Sequence, residues 1–373
     1  MLISNRLKTD HKTFLILFTA MISIFSISCK KEAKEVYFFA GTYTQNEGFV
    51  DGVAEGIYDV TVDVNNLTMK YETYIKGIRN PSFLIPYKNG LLTVSEISKG
   101  DTTGYLYKVK EGQVISKMSS GGLAPCHVSS DLFKKWFAVS NYSGGKVQFY
   151  KEVNEKLTLQ NTFTFLGSGP NSRQDASHTH STIFSRDGSF ALTADLGTDS
   201  IYYYDIGDSV TYNAAKSIKV KDGGGPRHMV FNKSGNTVYI LNELINEVGV
   251  YAVTKEGLIE VQYMPTIPIK FKENNTSADI HLSPDERMLY TSNRGHNSIA
   301  SFSIYEAGRL SPKGHTSTHG RTPRNFMVTK DGKYMIVANQ DSRDIALFSI
   351  GVNGELVFKK KFNLPTPVCL IEK

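Results

Sequence analysis

The chain has 373 residues, of which 40% are hydrophobic and 11% are aromatic, a composition typical of a globular protein. Its formal net charge of +6 is modest for this length, and its lysines are scattered except for the short run Lys359-Lys360-Lys361. The charge therefore gives no indication of a nucleic-acid partner. The length exceeds what one ordinary domain needs, so two domains or one large repeat architecture are expected.

The N-terminus has the order of a signal peptide. Three basic residues lie within the first twelve positions, and an apolar run from Thr13 to Ser28 follows them. This run is too short to span a membrane comfortably. Residues 1–28 are therefore predicted to be a signal peptide.

The apolar run ends at Cys29 in the sequence SISC, which resembles the lipobox of bacterial lipoproteins, with Ser26 where that motif usually has Leu. We expect a lipid on Cys29, a tether over residues 29–34 and a protein held at the cell envelope, on its periplasmic or surface face. The lipid would be its only link to a membrane. A secretory signal or membrane anchor with a chance cysteine is the alternative, and a cytoplasmic protein is expected if the segment is no signal.

The remaining cysteines, Cys126 and Cys369, are too few for a disulfide scaffold or a zinc cluster. Both lie in apolar, strand-like stretches. We expect them to be buried as small hydrophobic residues.

One spacing recurs along the chain. Six pairs of residues are fourteen positions apart, with turn residues such as Asn89-Gly90 and Asp331-Gly332 midway in most of them. The pairs are Ser82 and Glu96, His127 and Asn141, Ser181 and Asp195, His228 and Asn242, Asp279 and Asn293, and Asn325 and Asn339. An aromatic residue follows nine positions after each second member, at Tyr105, Tyr150, Tyr204, Tyr251, Phe302 and Phe348.

The second members of these pairs are 45, 54, 47, 51 and 46 residues apart, a period typical of four-stranded propeller blades. A seventh unit is split, because Val36 to Tyr43 looks like a second strand and Thr366 to Glu372 looks like a first strand. Pairing of the two would close the ring and remove its exposed edges. The fold class predicted is all-β, a seven-bladed β-propeller over residues 35–373. An eight-bladed ring and a β-sandwich are the competing interpretations.

Strand direction predicts which polar residues share one end of the channel. In a blade, the first strand begins and the second strand ends on the same rim, and first strands line the channel. Six of the nine histidines belong to the set that this rule brings to one mouth. The set is His127, His178, His180, Arg227, His228, Glu243, His281, Arg294, His296, Arg324 and Gln340.

Such a funnel suits a small anionic or polyhydroxylated ligand. Arginines bind carboxylate or phosphate groups and stabilise a developing oxyanion, and a histidine or Glu243 can take a proton from water. The alternative is that polar residues simply fill a wet channel. We expect no metal and no cofactor: His178-x-His180 has no carboxylate-rich companion set, and no phosphate-binding or dinucleotide motif is present. Neighbouring strand residues point to opposite faces, which argues against a catalytic pair of Cys126 and His127.

These stretches together resemble the seven-bladed propeller lactonase family, which includes the bacterial propeller-type 6-phosphogluconolactonase and the fungal carboxy-cis,cis-muconate cyclase. The resemblance covers nearly the whole chain after the signal. It rests on FAGTYT, APCHVS, SNYSGGKVQFY, SRQDASHTHSTIFSRDGSFALTADLGTD, GPRHMVFNKSGNTVYILNE, SPDERMLYTSNRGHNSI and RTPRNFMVTKDGKYMIVANQDS.

The resemblance implies lactone hydrolysis with a catalytic set of one histidine, two arginines and one glutamate. In this sequence the first arginine is Arg227 and the glutamate is Glu243. The histidine is His180 or His178, with His180 preferred, and the second arginine is Arg294, with Arg324 as the other candidate. Glu243 or His180 would act as general base, and the arginines would hold the oxyanion and the acidic group of the substrate.

The other predicted substrate-binding residues surround this set. They are His127, Arg173, His178, His228, His281, His296, Arg324 and Gln340. We expect a monomer that takes a small lactone. Two other functions stay open: an envelope propeller without enzymatic activity that binds carbohydrate or protein, and a muconate cycloisomerase-type activity at the same site. Export would place the protein apart from a cytosolic sugar phosphate, so a sugar lactone or a plant-derived lactone outside the cytoplasm is an alternative substrate.

Overall fold

The computed structural model describes residues 34–48 and 50–373, so the predicted signal peptide and Cys29 lie outside the described residues. Within that part of the chain, 28 strands and one 3-10 turn (Glu306–Gly308) are formed. The strands are β1 (Glu35–Thr42), β2 (Gly56–Asp63), β3 (Thr68–Lys76), β4 (Phe83–Tyr87), β5 (Gly90–Ser95), β6 (Tyr105–Lys110), β7 (Gln113–Ser119), β8 (Leu123–Ser130), β9 (Trp136–Ser143), β10 (Lys146–Val153), β11 (Lys156–Thr164), β12 (Thr179–Phe184), β13 (Phe190–Asp195), β14 (Ser200–Ile206), β15 (Val210–Lys219), β16 (Pro226–Phe231), β17 (Thr237–Asn242), β18 (Glu247–Thr254), β19 (Gly257–Pro265), β20 (Thr276–Leu282), β21 (Met288–Arg294), β22 (Ser298–Ile304), β23 (Leu310–Ser317), β24 (Pro323–Val328), β25 (Tyr334–Asn339), β26 (Asp344–Ile350), β27 (Leu356–Asn363) and β28 (Pro367–Glu372).

These strands form seven antiparallel sheets of four strands each. Six sheets take four consecutive strands, and the seventh has the order β28-β1-β2-β3. The innermost strands of neighbouring sheets contact one another all the way round. The predicted seven-bladed propeller is therefore confirmed, including its closure by the C-terminal strand. Blade 1 contains β28, β1, β2 and β3, and blades 2 to 7 follow in chain order from β4.

The hydrophobic core lies between adjacent blades. Phe38 and Val60 of blade 1, for example, belong to one buried cluster with Ile336 and Leu347 of blade 7. The six recurring aromatic residues predicted from the spacing lie on the third strands of blades 2 to 7, where all except the half-buried Tyr105 are buried. Each blade thus buries its apolar faces against two neighbours, which removes this surface from water.

The ring has two faces. Inner strands begin at what we call the mouth face, and second strands end there. The opposite, far face carries the turns between first and second strands, where Gly235 and Gly332 have φ of 72° and 70°, a left-handed conformation that glycine adopts without steric cost. Lys34, just before β1, also lies on the far face, since its Nζ is 2.6 Å from Oδ2 of Asp331 in the turn after β24.

Among the described residues, no helix is both long and apolar enough to cross a membrane.

Candidate active site

A β-bulge lies near the start of six of the seven inner strands, on the mouth face, and four of these bulges concern the cavity and its surroundings. The pairing registers of β8, β12, β16 and β24 each skip one residue there, which leaves it opposite no partner. The skipped residues are Cys126, His180, Arg227 and Arg324. Bulges re-aim side chains and are common beside active sites. Three of the four are predicted site residues.

A cavity of about 920 Å³ opens on the mouth face, and every blade or its preceding loop contributes to its wall. Predicted site residues in this wall are Arg173, His180, Glu243, Arg294, Arg324 and Gln340. A second groove, of about 630 Å³, lies among far-face turns that include Asp285 and Asp331. It contains none of the predicted site residues, so the mouth cavity is the candidate active site.

Glu243 lies at the centre of the charged groups in this cavity. It follows β17, and its backbone N–H donates to the carbonyl of Gly225 at 2.8 Å. Its Oε2 is 3.0 Å from Nε of Arg227 and 2.9 Å from Nη2 of Arg294, and its Oε1 is 3.2 Å from Nη1 of Arg173. Burial alone would raise the pKa of Glu243, but the arginine charges outweigh it and lower that pKa to about 2. The carboxylate is therefore ionised at neutral pH.

Arg227 lies beneath Glu243 and is not part of the cavity wall; only 3% of its side chain is exposed. Its Nη1 donates to the carbonyl of Ala278 and also approaches the ring of His228. Burial, followed by the charge of Arg294, lowers the pKa of Arg227 to about 10, so it still carries its charge at neutral pH. This location suits a residue that supports Glu243 better than one that contacts a ligand.

Arg294 and Arg173 do line the cavity. Arg294 ends β21, and its Nη2 also donates to the carbonyl of Ser277 at 3.2 Å. Arg173 comes from the loop before β12, is half-exposed, and donates from Nη2 to the hydroxyl of Tyr142 at 3.0 Å. Arg294 is therefore largely buried in the wall, whereas Arg173 reaches the cavity from a loop and stays half-exposed.

Arg324 forms a second charged region of the cavity wall, in addition to the one around Glu243. Its guanidinium lies 5.2 Å from the centre of the Tyr43 ring, and its Nη2 is 3.7 Å from Oε1 of Glu96. The hydroxyl of Tyr43 donates to Oε2 of the same carboxylate at 2.8 Å. Gln340 lies in the same wall, and its buried Oε1 accepts no hydrogen bond from the described residues. This region of the wall therefore offers a ligand both a cation, Arg324, and a hydrogen-bond acceptor, Gln340.

The two histidines of the H-x-H segment are placed differently. His180, the bulged residue, lines the cavity, and its Nδ1 is 3.9 Å from Sγ of Cys126. Burial, then the charge of Arg227, lowers the pKa of His180 well below 6.5, so its ring is neutral. His178 instead stacks on Tyr142 and pairs with Asp175 at 3.0 Å, outside the cavity wall. The bulge breaks the alternation that would have put both on one side.

Three other predicted histidines lie deeper in the channel, below the cavity wall. The Nδ1 of His228 and the Nε2 of His281 both donate to Asp279, at 2.7 and 2.8 Å. His127 packs against Phe83 and His228. They form a channel layer that does not line the cavity.

His296 is also outside the cavity wall. Its ring packs against Phe271 and His315, and its Nδ1 bonds to the hydroxyl of Ser298 at 2.7 Å. No contact links it to Glu243 among the described residues.

Sequence reasoning did not select four of the groups that shape the site: Glu96, Tyr43, Tyr142 and Asp279. Glu96 and Asp279 were used only as markers of spacing. Their place at a second-strand end or a first-strand start, the rule that selected the histidines, is the signal that could have found them. Cys126 is buried beside His180 and Cys369 is also buried, as expected for both. Within residues 34–48 and 50–373, no group of three or more His, Cys, Asp or Glu side chains could hold a metal ion.

Comparison with known proteins agrees with the propeller fold described above. Residues 37–372 match the model of the family described as "Lactonase, 7-bladed beta-propeller". A 6-phosphogluconolactonase from Formosa agariphila is 34% identical over 83% of this chain and 91% of its own length, and one from Bacillus subtilis is 30% identical over 89% and 97%.

Solved structures show the same likeness. A putative 6-phosphogluconolactonase from Bacteroides fragilis has a TM-score of 0.80 and 30% identity, covering 91% of this chain and 98% of that one. The periplasmic gluconolactonase from Pseudomonas aeruginosa has a TM-score of 0.81 and 26% identity, covering 91% and 99%. The chain therefore belongs to the seven-bladed β-propeller lactonase family.

Proposed function

We propose that the protein hydrolyses the ring ester of a sugar-type lactone in the mouth cavity, with 6-phosphogluconolactone as the first candidate substrate. The observation that carries this proposal is Glu243, an ionised carboxylate buried among three guanidinium groups at 2.9 to 3.2 Å. The cavity volume is within the range of small-molecule sites. Relatives at about this identity are named as 6-phosphogluconolactonases, which supports the choice of substrate.

Glu243 acts as the general base in this proposal. Its Oε1 accepts no hydrogen bond from the described residues, although Nη1 of Arg173 lies 3.2 Å away. This oxygen is buried beneath Arg173, so a water molecule reaches it only when that guanidinium moves. When an anionic substrate draws the half-exposed Arg173 toward itself, Oε1 becomes open to a water, and Glu243 loses one of the charges that lower its pKa and becomes a stronger base.

The chemical step then balances as an ordinary ester hydrolysis. Glu243 takes a proton from the water while the water oxygen bonds to the ester carbon. The negative charge that develops on the carbonyl oxygen is stabilised by Arg294, which lies in the wall next to Glu243. When the ring C–O bond breaks, the proton on Glu243 passes to the ring oxygen, which gives the open hydroxy acid.

The remaining residues have supporting roles. Arg227 holds Glu243 from below, so its role differs from the ligand contact expected from the motif. His180 is neutral and lines the cavity, which makes it the alternative proton acceptor. Arg324, with a loose ion pair to Glu96 at 3.7 Å, binds the acidic end of the substrate.

We also propose that the protein works at the cell envelope, anchored through Cys29. The support is the N-terminal signal-like segment, together with the name of the Pseudomonas aeruginosa relative as a periplasmic gluconolactonase. Fractionation of cells that produce the full chain and its Cys29→Ser variant tests this. We expect the wild-type chain in the membrane fraction and the variant released; equal distribution of the two would contradict anchoring at Cys29.

The function is tested with the chain after Cys29 and three substrates: 6-phosphogluconolactone, glucono-1,5-lactone and a muconolactone. We expect hydrolysis of a sugar lactone well above the spontaneous rate, and its loss in Glu243→Gln. Turnover of the muconolactone alone would favour the cycloisomerase-type activity. No rate on any of the three would favour an envelope propeller that only binds.

A further inference from the structure

We propose that Asp279 and His228 are positioning residues that hold the guanidinium of Arg227 against Glu243. Neither contacts the cavity, and neither is needed for the chemistry described above except through Arg227. The inference rests on the proposed lactone hydrolysis for its kinetic consequences, but its structural part is independent of any substrate.

The carboxylate of Asp279 is held in place by hydrogen bonds within the channel layer. It is 3% exposed, and its two carboxylate oxygens accept four hydrogen bonds. The donors are Nδ1 of His228 at 2.7 Å, Nε2 of His281 at 2.8 Å, Nδ2 of Asn325 at 2.5 Å and the backbone N–H of Phe326 at 3.3 Å. A carboxylate with this many partners has little freedom to rotate, and it is suited to fix the rings that donate to it.

The bond to Asp279 sets the tautomer and the ring plane of His228. Because a carboxylate only accepts hydrogen bonds, Nδ1 of His228 must carry the proton. Nε2 lies 3.2 Å from the cationic Nη1 of Arg227, which disfavours a second proton on the ring. Burial, with the charge of Arg227, lowers the pKa of His228 to about 4, which agrees with a neutral ring.

The neutral ring of His228 packs against the guanidinium of Arg227. Nη1 of Arg227 is 3.2 Å from Nε2 and 3.4 Å from Nδ1 of His228. Similar distances to both nitrogens place this atom over the ring face, where an N–H group meets the π electrons of a neutral ring favourably. The same Nη1 donates to the carbonyl of Ala278, so the guanidinium is held on two sides.

The opposite part of the guanidinium meets Glu243, with Nε 3.0 Å from Oε2. A chain of contacts thus runs from Asp279 through His228 and Arg227 to Glu243. Arg227 is the extra residue of a bulge, so neighbouring strand pairs do not fix it as they fix an ordinary strand residue. Contacts of its own side chain therefore help to hold it, and the ring of His228 provides one of them beside the carbonyl of Ala278.

The experiment is a double-mutant cycle on Asp279→Asn and His228→Gln, with Thr182→Val as a matched control. Thr182 is fully buried on the inner strand β12, and its hydroxyl bonds to Ser140 and Thr193, not to Arg227. Displacement of Glu243 affects the chemical step, while the cavity-lining arginines stay in place. We expect kcat to fall about 10- to 100-fold in each single variant, with KM within about threefold, and the control to stay near wild type.

The decisive comparison is the double variant. If Asp279 acts through His228, the double variant loses no more than the worse single variant, because both substitutions break one chain. Losses that multiply, or an Asp279→Asn variant with wild-type kcat, would overturn the proposal. Where Asp279→Asn loses its cooperative thermal transition, the comparison is made instead with His228→Gln in an Arg227→Lys background, and no added loss is expected; an added loss would overturn the proposal.

A second readout needs no substrate. In ¹⁵N-histidine NMR of the chain after Cys29, we expect the ring of His228 to be neutral and protonated at Nδ1, and to lose this tautomer in Asp279→Asn. A ring protonated at Nε2 in the wild type would overturn the proposal. If the wild type hydrolyses none of the lactones, the proposed function fails, and the NMR result still decides this inference.

Discussion

Nη2 of Arg294 lies 2.9 Å from Oε2 of Glu243, although the two residues come from adjacent blades. Glu243 directly follows the second strand of blade 5, and Arg294 is the last residue of the second strand of blade 6. Because second strands end on the mouth face, the two residues lie at the same height there. Glu243 also pairs with Arg227 and Arg173, so its loss would leave the buried guanidinium groups of Arg227 and Arg294 without their carboxylate. The site is therefore sensitive to any change at Glu243.

Replacement of Glu243 by Gln keeps the shape of the side chain and removes its charge and basicity. We expect kcat on the preferred lactone to fall by about 100-fold or more, within the usual effect of a general base. The control is Glu286→Gln, in a far-face turn. A Glu243→Gln enzyme that turns over at the wild-type rate would remove Glu243 from the mechanism.

The stability of the protein should also depend on Glu243 at acid pH. The folded pKa is lowered from 4.5 to about 2, so the unfolded chain binds a proton first as the pH falls. The stabilisation from this group is complete above about pH 4.5 and is lost progressively toward pH 2. Urea unfolding at several pH values should show that the free-energy difference between wild type and Glu243→Gln shrinks over this window. A constant difference would contradict the lowered pKa.

The pH dependence of the rate should show whether the proton acceptor is a group with a lowered pKa, such as Glu243 or His180, or a histidine with an ordinary pKa. The pKa of His180 lies well below 6.5, and the pKa of Glu243 is lowered to about 2 before substrate binds. We expect kcat/KM for glucono-1,5-lactone, which has no phosphate that titrates near pH 6, to stay level as the pH falls from 7 to 6 after correction for spontaneous hydrolysis. A loss centred at pH 6.5 would indicate a base with an unshifted histidine pKa. Comparison with His180→Asn shows which group causes any fall at lower pH.

Arg324 should distinguish phosphorylated from neutral substrates. Loss of a charge-assisted contact costs about 1.5–3 kcal/mol, or roughly 10- to 100-fold in binding. In Arg324→Gln we expect KM for 6-phosphogluconolactone to rise by about that factor and KM for glucono-1,5-lactone to change by less than about threefold. Equal rises for both substrates would show that Arg324 does not recognise the phosphate.

Closure of the ring should be essential for folding. Removal of residues 365–373 deletes β28 and exposes one edge of β1 in blade 1. It also removes the backbone N–H of Leu370 that donates to Oδ1 of Asn325 at 2.7 Å. We expect the truncated chain to aggregate or to melt far below the full chain in a thermal scan. A truncated protein with an unchanged melting temperature would contradict this role of β28.

The blade count could be predicted because it depends on spacing alone. A fourteen-residue interval with a turn at its middle fits two antiparallel strands, and the split unit needs its C-terminal strand to complete four. The approximate height of each polar residue in the channel follows from the same interval. For this reason Glu243 and Arg294 were assigned to one mouth from their places in the repeat and the family motifs.

The direction of individual side chains could not be predicted in this way. One inserted residue in β12 and one in β16 break the alternation, which separates His180 from His178 and places Arg227 below Glu243. A sequence signal does exist, because Pro125, Pro226 and Pro323 each precede a bulged residue at the start of an inner strand. Proline cannot donate to a sheet ladder and is found at such bulges.

Lys34 lies on the far face of the ring, opposite the face on which the cavity opens. A chain fastened anywhere ahead of Lys34 is held by the side of the ring that carries the turn at Asp331. Arg324 begins the same inner strand at its other end and lines the cavity. If the chain is anchored ahead of Lys34 as proposed, the attachment and the cavity opening are on opposite faces of the ring, and dissolved molecules would reach the opening without passing between the ring and a membrane.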